Sequence, residues 1–138
     1  MCTKIVVLLG LSTALLLSQK NGKSVWDGAY SAEQAKRGAT QVASKCATCH
    51  GAELHGGPGA PGVAGPEFLF SWNGKSAAEL FDYIKTNMPP GEPDSMSAQR
   101  YADIVAAVFQ ANGFPAGPAE LSADEKGLAD IKILREKP

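Results

Sequence analysis

Apolar residues recur at helical spacing in three stretches of the chain, and a serine stands at or just before the start of each stretch. The pattern predicts helices over residues 31–45, 76–86 and 98–112. Ser31 and Ser76 are each followed three residues later by Gln or Glu, which is the arrangement of a capping box. The sequence shows no internal repeat and no credible β-sheet pattern, so it predicts an all-α domain.

A glycine interrupts the first predicted helix at position 38. Glycine inside a helix costs about 1 kcal/mol relative to alanine. Close approach of a second helix would explain Gly38, and the alternative is a tolerated glycine without a role. The third helix is expected to begin after Ser97 and to be closed by Gly113, where helices commonly end in glycine.

Two segments between the helices have distinctive compositions. Residues 51–65 are rich in Gly, which permits close backbone approach, and in Pro, which stiffens a loop. Residues 67–72 are the most aromatic stretch and are compatible with a short strand or a helical turn. Phe68, Leu69 and Phe70 are therefore candidates for the apolar wall of a pocket.

The first residues have the pattern of a secretory signal peptide, with one lysine followed by an apolar run over residues 5–17. We predict a signal peptide over residues 1–20, cleaved somewhere within residues 18–24; a retained membrane anchor is the alternative. The run is shorter than the roughly 20 residues that a membrane-spanning helix needs. Cys2 precedes the run and is badly placed to carry a lipid.

The length of the chain limits the number of domains, and its charge argues against nucleic-acid binding. The 138 residues are enough for one domain, and the formal net charge of -1 without a basic cluster gives no reason to expect nucleic-acid binding. We expect a main domain over residues 21–117 and a C-terminal extension over residues 118–138, packed on the surface with a frayed charged end.

The strongest chemical signal is Cys46-Ala-Thr-Cys49-His50, because a C-x-x-C-H run is typical of a c-type haem attachment site. Each cysteine would form a thioether with the porphyrin, and the histidine would ligate the iron. A zinc half-site is the alternative, but His55 is the only further histidine. A thioredoxin-like dithiol should lie in a βαβ pattern, which is missing. Export agrees with haem attachment in an oxidising compartment.

The second axial ligand has several candidates. Met88 stands between the end of the second helix and two prolines, so its loop should be rigid and hold the thioether in place. Met96 lies in a less constrained polar loop, and His55 follows His50 too closely to reach the opposite face easily. An open or water-filled position is the remaining possibility. Met88 is the preferred ligand, and an ordinary packing role is the alternative.

The order of these features resembles the class I (mitochondrial-type) cytochromes c, and most closely the small monohaem cytochromes c that accompany bacterial quinoprotein dehydrogenases. The resemblance covers about residues 25–117. It implies that His50 is the proximal iron ligand and Met88 the distal one. It further implies that the Pro61 carbonyl accepts a hydrogen bond from the proximal imidazole, that Val63 packs on the haem, and that Trp72 lies near a haem propionate.

The resemblance also implies that Gly38 marks the crossing of the first and last helices. In many relatives aromatic side chains from both helices lock this crossing, whereas the matching residues here are the smaller Val42 and Ala107. Tyr101 or Phe109 would have to compensate, or the crossing would be looser.

The resulting prediction is a periplasmic one-electron carrier with one covalently bound haem c and its iron, and not an enzyme. Its expected partners are a dehydrogenase as donor and an oxidase or another cytochrome as acceptor, with the protein a monomer or a subunit of a dehydrogenase complex. No membrane span is expected in the mature chain. The alternatives are a haem-based gas-binding or sensor protein with an open distal site, and a peroxidase-like enzyme in which only His55 could act as the distal acid–base residue.

Overall fold

The computed structural model describes residues 24–138, and these fold into helices joined by irregular segments. The predicted signal peptide and Cys2 lie outside the described residues. A short 3-10 turn at Val25–Asp27 precedes six α-helices. These are α1 (Ala32–Lys45), α2 (Ala47–His50), α3 (Pro66–Trp72), α4 (Ala77–Asn87), α5 (Ala98–Ala111) and α6 (Glu125–Ala129).

The all-α prediction is confirmed. Within residues 24–138 the backbone pairs only through isolated bridges and forms no strand. In the same residues, no helix has both the length and the apolar character needed to cross a bilayer. The segment over residues 67–72, compatible with a strand or a helical turn, belongs to helix α3.

Helix N-termini follow the sequence pattern, with one exception. Ser76 and Glu79 form the predicted capping box. Ser31 accepts a hydrogen bond from the N–H of Gln34, but the Gln34 side chain does not return to the helix terminus. Its amide instead bonds the backbone of Leu121. The capping box predicted at Ser31 is therefore wrong, because the Gln34 side chain forms its hydrogen bonds with the buried backbone of Leu121.

Helices α1 and α5 cross at Gly38. A β-carbon at this position would overlap the carbonyl group of Asp103 and lie 3.0 Å from the β-carbon of Ala107. Arg37, beside this glycine, donates two hydrogen bonds to the Asp103 carboxylate, each at 3.1 Å. The predicted reason for a glycine in the first helix is confirmed: two backbones meet where a side chain would not fit.

The small residues at the crossing leave space beside it. Val42 and Ala107 share a small hydrophobic cluster with Leu54. All three also line a second cavity of about 420 Å³, whose walls are mostly alanine. Tyr101 and Phe109 are fully buried, but they belong to the main core and not to this cluster. Of the two alternatives, the structure therefore favours the looser crossing over compensation by Tyr101 or Phe109.

The C-terminal extension contributes to the main core. Leu121, Leu128, Ile131 and Ile133 are buried within it. The backbone of this segment also bonds the turn before α4, where Gly74 donates to the carbonyl of Ile133 at 2.7 Å. The extension was expected on the surface; its apolar side chains instead reach the interior, while its last residues stay exposed.

Candidate functional site

A cavity of about 520 Å³ opens in the face of the protein formed around α2, α3 and α4. Its volume is in the range of pockets that hold a cofactor. Predominantly apolar side chains form its walls, among them Val42, Val63, Phe68, Leu80, Ile84, Ile104 and Val108. Seven of the residues predicted for the site line this cavity, namely Cys46, Cys49, His50, Pro61, Val63, Trp72 and Met88.

The end of α1 and the single turn of α2 position the attachment motif. Cys46 closes α1 and starts α2, which ends with His50. Successive backbone hydrogen bonds from Cys49 and His50 to the Cys46 carbonyl fold the motif into one turn, so all three side chains reach the same cavity. Neither Cys46 nor Cys49 forms a disulfide; Cys49 is exposed and Cys46 is partly buried. Burial raises the pKa of the Cys46 thiol.

His50 is buried and held in one orientation. Its Nδ1 lies 2.7 Å from the carbonyl oxygen of Pro61. A carbonyl only accepts hydrogen bonds, so Nδ1 is the donor, and the tautomer with its proton on Nδ1 has its lone pair on Nε2. That nitrogen is the one available to a metal, and the bond to Pro61 both orients the ring and increases its basicity. The hydrogen bond implied by the resemblance is present in this geometry.

The loop that carries Pro61 packs against the attachment motif. Gly57 lies so close to the Cys49 carbonyl that a β-carbon would overlap it. The Gly56 amide donates to the His50 carbonyl at 2.8 Å. The glycines of this loop therefore allow its backbone to lie directly against the backbone of the attachment motif.

Two side chains outside the predicted site, Asn112 and Glu67, fix the far end of this loop. Asn112 accepts a hydrogen bond from the Gly65 amide at 2.9 Å and donates one to the Val63 carbonyl at 3.0 Å. Glu67 accepts a hydrogen bond from the Gly62 amide at 2.8 Å. Glu67 could have been noticed as an acid in the first turn of a helix, but the position of Asn112 after α5 gives no signal of its partners.

Met88 ends α4 and lines the cavity together with Pro89 and Pro90. Its amide still bonds the carbonyl of Ile84 at 2.9 Å, which ties the thioether to the helix. Met96 packs against the hydrophobic clusters and is not among the cavity-lining residues.

The other histidine lies elsewhere. His55 is exposed, with its ring beside Gly65, and does not line the cavity.

Helix α3 provides one wall and part of the rim. Phe68 is buried and lines the cavity, and Trp72 stacks on it with ring centroids 6.2 Å apart. The ammonium group of Lys75 lies 5.7 Å from the Trp72 ring centroid. Leu69 packs on the core instead of the cavity, and Phe70 is 80% exposed. The expectation that Leu69 and Phe70 form the cofactor wall is wrong, because in a helix only one of three consecutive side chains faces the cavity.

These residues fit a covalently bound haem. Two thiols in one helical turn can form thioethers, an imidazole offers its free Nε2, and a methionine sulfur lines the same cavity. Apolar side chains supply the surroundings that a porphyrin requires. The helical fold, the α1–α5 crossing and this donor set define a class I cytochrome c.

Comparisons with known proteins agree with this class. The model of the family described as "Cytochrome C oxidase, cbb3-type, subunit III" matches residues 33–106. This is more than half of the 138-residue chain, which belongs to that family of cytochromes c. The protein is a haem-based electron carrier with covalently bound haem c and its iron. No curated protein matches the chain.

Among solved structures, the chain is similar to one chain of the sulfane dehydrogenase SoxCD from Paracoccus pantotrophus. The TM-score is 0.48 and the sequence identity 23%, over 78% of this chain. The match spans 61% of the length of the SoxCD chain.

Proposed function

We propose that the protein is a periplasmic one-electron carrier with a single haem c, ligated by His50 and Met88, and that it is not itself an enzyme. The observation that carries this proposal is the convergence of Cys46, Cys49, His50 and Met88 on one apolar cavity. When bound, the haem supplies reversible one-electron chemistry at iron, and a His/Met ligand pair is the arrangement used for electron transfer.

The chain's own residues keep that site rigid. Pro61 holds the His50 imidazole in one orientation. Met88 follows directly on α4 and is succeeded by two prolines, whose backbone torsions are restricted. Val63 lies on the cavity wall, and Trp72 and Lys75 lie at its rim, where an indole N–H and an ammonium group suit carboxylates such as the haem propionates. A site with little freedom reorganises little when its charge changes.

The cellular setting is proposed from the sequence. Residues 1–20 have the pattern of a signal peptide, which would direct the chain to the periplasm. The partners we propose are a dehydrogenase as donor and an oxidase or another cytochrome as acceptor. Membership of a family named for an oxidase subunit supports the acceptor side of this proposal. Cell fractionation with N-terminal sequencing of the mature protein tests the location and the cleavage site.

The absorption spectrum of the oxidised holoprotein tests the ligand pair. We expect the charge-transfer band that a methionine–iron bond produces, with slow or absent carbon monoxide binding to the reduced form. Rapid carbon monoxide binding without that band would contradict the proposal and favour a gas-binding protein. Iron and haem analysis per chain should give one of each.

A further inference from the structure

The peptide group between Pro61 and Gly62 makes two hydrogen bonds in series. Its carbonyl accepts from Nδ1 of His50 at 2.7 Å, and its N–H donates to Oε2 of Glu67 at 2.8 Å. A single amide group therefore stands between a buried imidazole and a carboxylate. We propose that Glu67 is a positioning residue for His50 that acts through this peptide group and lowers the reduction potential of the carrier.

The chemistry of the amide explains the coupling. Resonance delocalises the nitrogen lone pair onto the carbonyl oxygen. A charge-assisted hydrogen bond from the N–H to a carboxylate increases that delocalisation, because hydrogen bonds in a chain polarise one another. The Pro61 carbonyl becomes a stronger acceptor, and His50 becomes a more basic ligand. A more basic imidazole favours ferric over ferrous iron; this step rests on the proposed role of His50 as a ligand.

Close packing holds the hydrogen-bonded path from Glu67 through the Pro61–Gly62 peptide group to His50 in place. Gly62 is buried, and a β-carbon there would lie 3.1 Å from Oε2 of Glu67 and 3.2 Å from the His55 carbonyl. Glu67 lies in the first turn of α3, so helical backbone positions it. Asn112 holds the same loop at Val63 and Gly65. The hydrogen-bonded path consequently connects elements that are each fixed independently.

A direct electrostatic effect of Glu67 is the competing explanation. Glu67 is exposed, and solvent screens the charge of an exposed carboxylate at distances beyond its direct contacts. Its hydrogen bond to the Gly62 amide is a direct contact, so solvent weakens this interaction less. The two explanations make different predictions for a variant that keeps the charge but cannot keep the bond.

Glu67→Gln and Glu67→Asp separate the two explanations in the holoprotein. The glutamine keeps an acceptor oxygen without the charge, whereas the shorter aspartate keeps the charge but withdraws it from the Gly62 amide. We expect both variants to raise the midpoint potential. In the reduced protein, the His50 Nδ1–H proton resonance should move to higher field as its hydrogen bond weakens. Glu33→Gln, which removes an exposed charge from the first turn of α1, should change neither.

The outcomes are distinct. If Glu67→Asp keeps the wild-type potential while Glu67→Gln raises it, charge alone acts and the inference is overturned; unchanged potentials in both variants also overturn it. A normal methionine–iron band in these variants shows that the proposed ligand pair stands whatever their potentials are. Absence of the band from the wild-type protein would contradict the ligand pair, and the variant potentials would still decide the role of Glu67.

Discussion

Gly38 of α1 lies directly against the backbone carbonyl of Asp103 in α5, with no space for a side chain between them. Arg37 and Asp103 reinforce the contact with paired hydrogen bonds across the crossing. The crossing brings together the two longest helices of the described chain, and α1 leads directly into the attachment motif. The position of Cys46 therefore depends on this contact.

Gly38→Ala should destabilise the protein by about 2 kcal/mol. Alanine favours a helix over glycine by about 1 kcal/mol, but the overlap with a backbone atom forces the helices apart, and overpacking of this kind costs about 1–3 kcal/mol or more. Chemical denaturation of the holoprotein measures the change. Lys36→Ala, an exposed position on the same helix, is the control and should be near neutral. Unchanged stability of Gly38→Ala would show that the crossing can adjust.

Gln34→Ala should release the C-terminal extension. The buried Gln34 amide donates to the Leu121 carbonyl at 2.9 Å and accepts from the Leu121 amide at 2.6 Å. Alanine would leave two buried backbone groups without these partners, at a cost of about 3 kcal/mol. Denaturation should report this loss, and limited proteolysis should cut faster beyond residue 118. Gln110→Ala, on the exposed face of α5, is the matched control. Equal proteolysis of both variants would contradict the anchoring role.

Met88→Ala should remove the methionine–iron band, lower the reduction potential and leave the haem attached. In the proposed site methionine ligation raises the potential, while the proposed thioethers to Cys46 and Cys49 do not depend on it. Spectra and redox titration measure these effects. Met96→Ala is the control and should keep the band, since Met96 packs on the hydrophobic clusters. If the band persists in Met88→Ala and disappears in Met96→Ala, the ligand assignment is wrong.

Glu79 should make stability depend on pH in the acid range. Hydrogen bonds from the Ser76 amide and hydroxyl hold the pKa of Glu79 below its usual 4.5. A carboxylate whose pKa is lowered by folding stabilises the folded state above its unfolded pKa, and this stability is lost as the pH falls through the folded pKa. The wild-type protein should therefore lose stability below about pH 4.5 relative to Glu79→Gln. Denaturation of both proteins across this range tests the expectation, with Glu33→Gln controlling for the change in net charge.

The sequence by itself determined the features that depend on neighbouring residues. The spacing of Cys46, Cys49 and His50 indicates haem attachment because one helical turn presents all three side chains together. Ser76 with Glu79, and the prolines after Met88, predicted where α4 begins and ends, since caps and proline act on the adjacent backbone.

Only the tertiary structure decided the features that depend on residues far apart in the chain. Gln34 fits a capping pattern, yet it bonds Leu121, because a buried amide must satisfy its hydrogen bonds wherever a partner lies. The sequence of residues 67–72 does not indicate which side chain of α3 faces the cavity, because this depends on the rotation of the helix about its axis as it packs on the core. The bonds of Glu67 and Asn112 to the loop around Pro61 arise from the same packing, which places groups together that the sequence keeps apart.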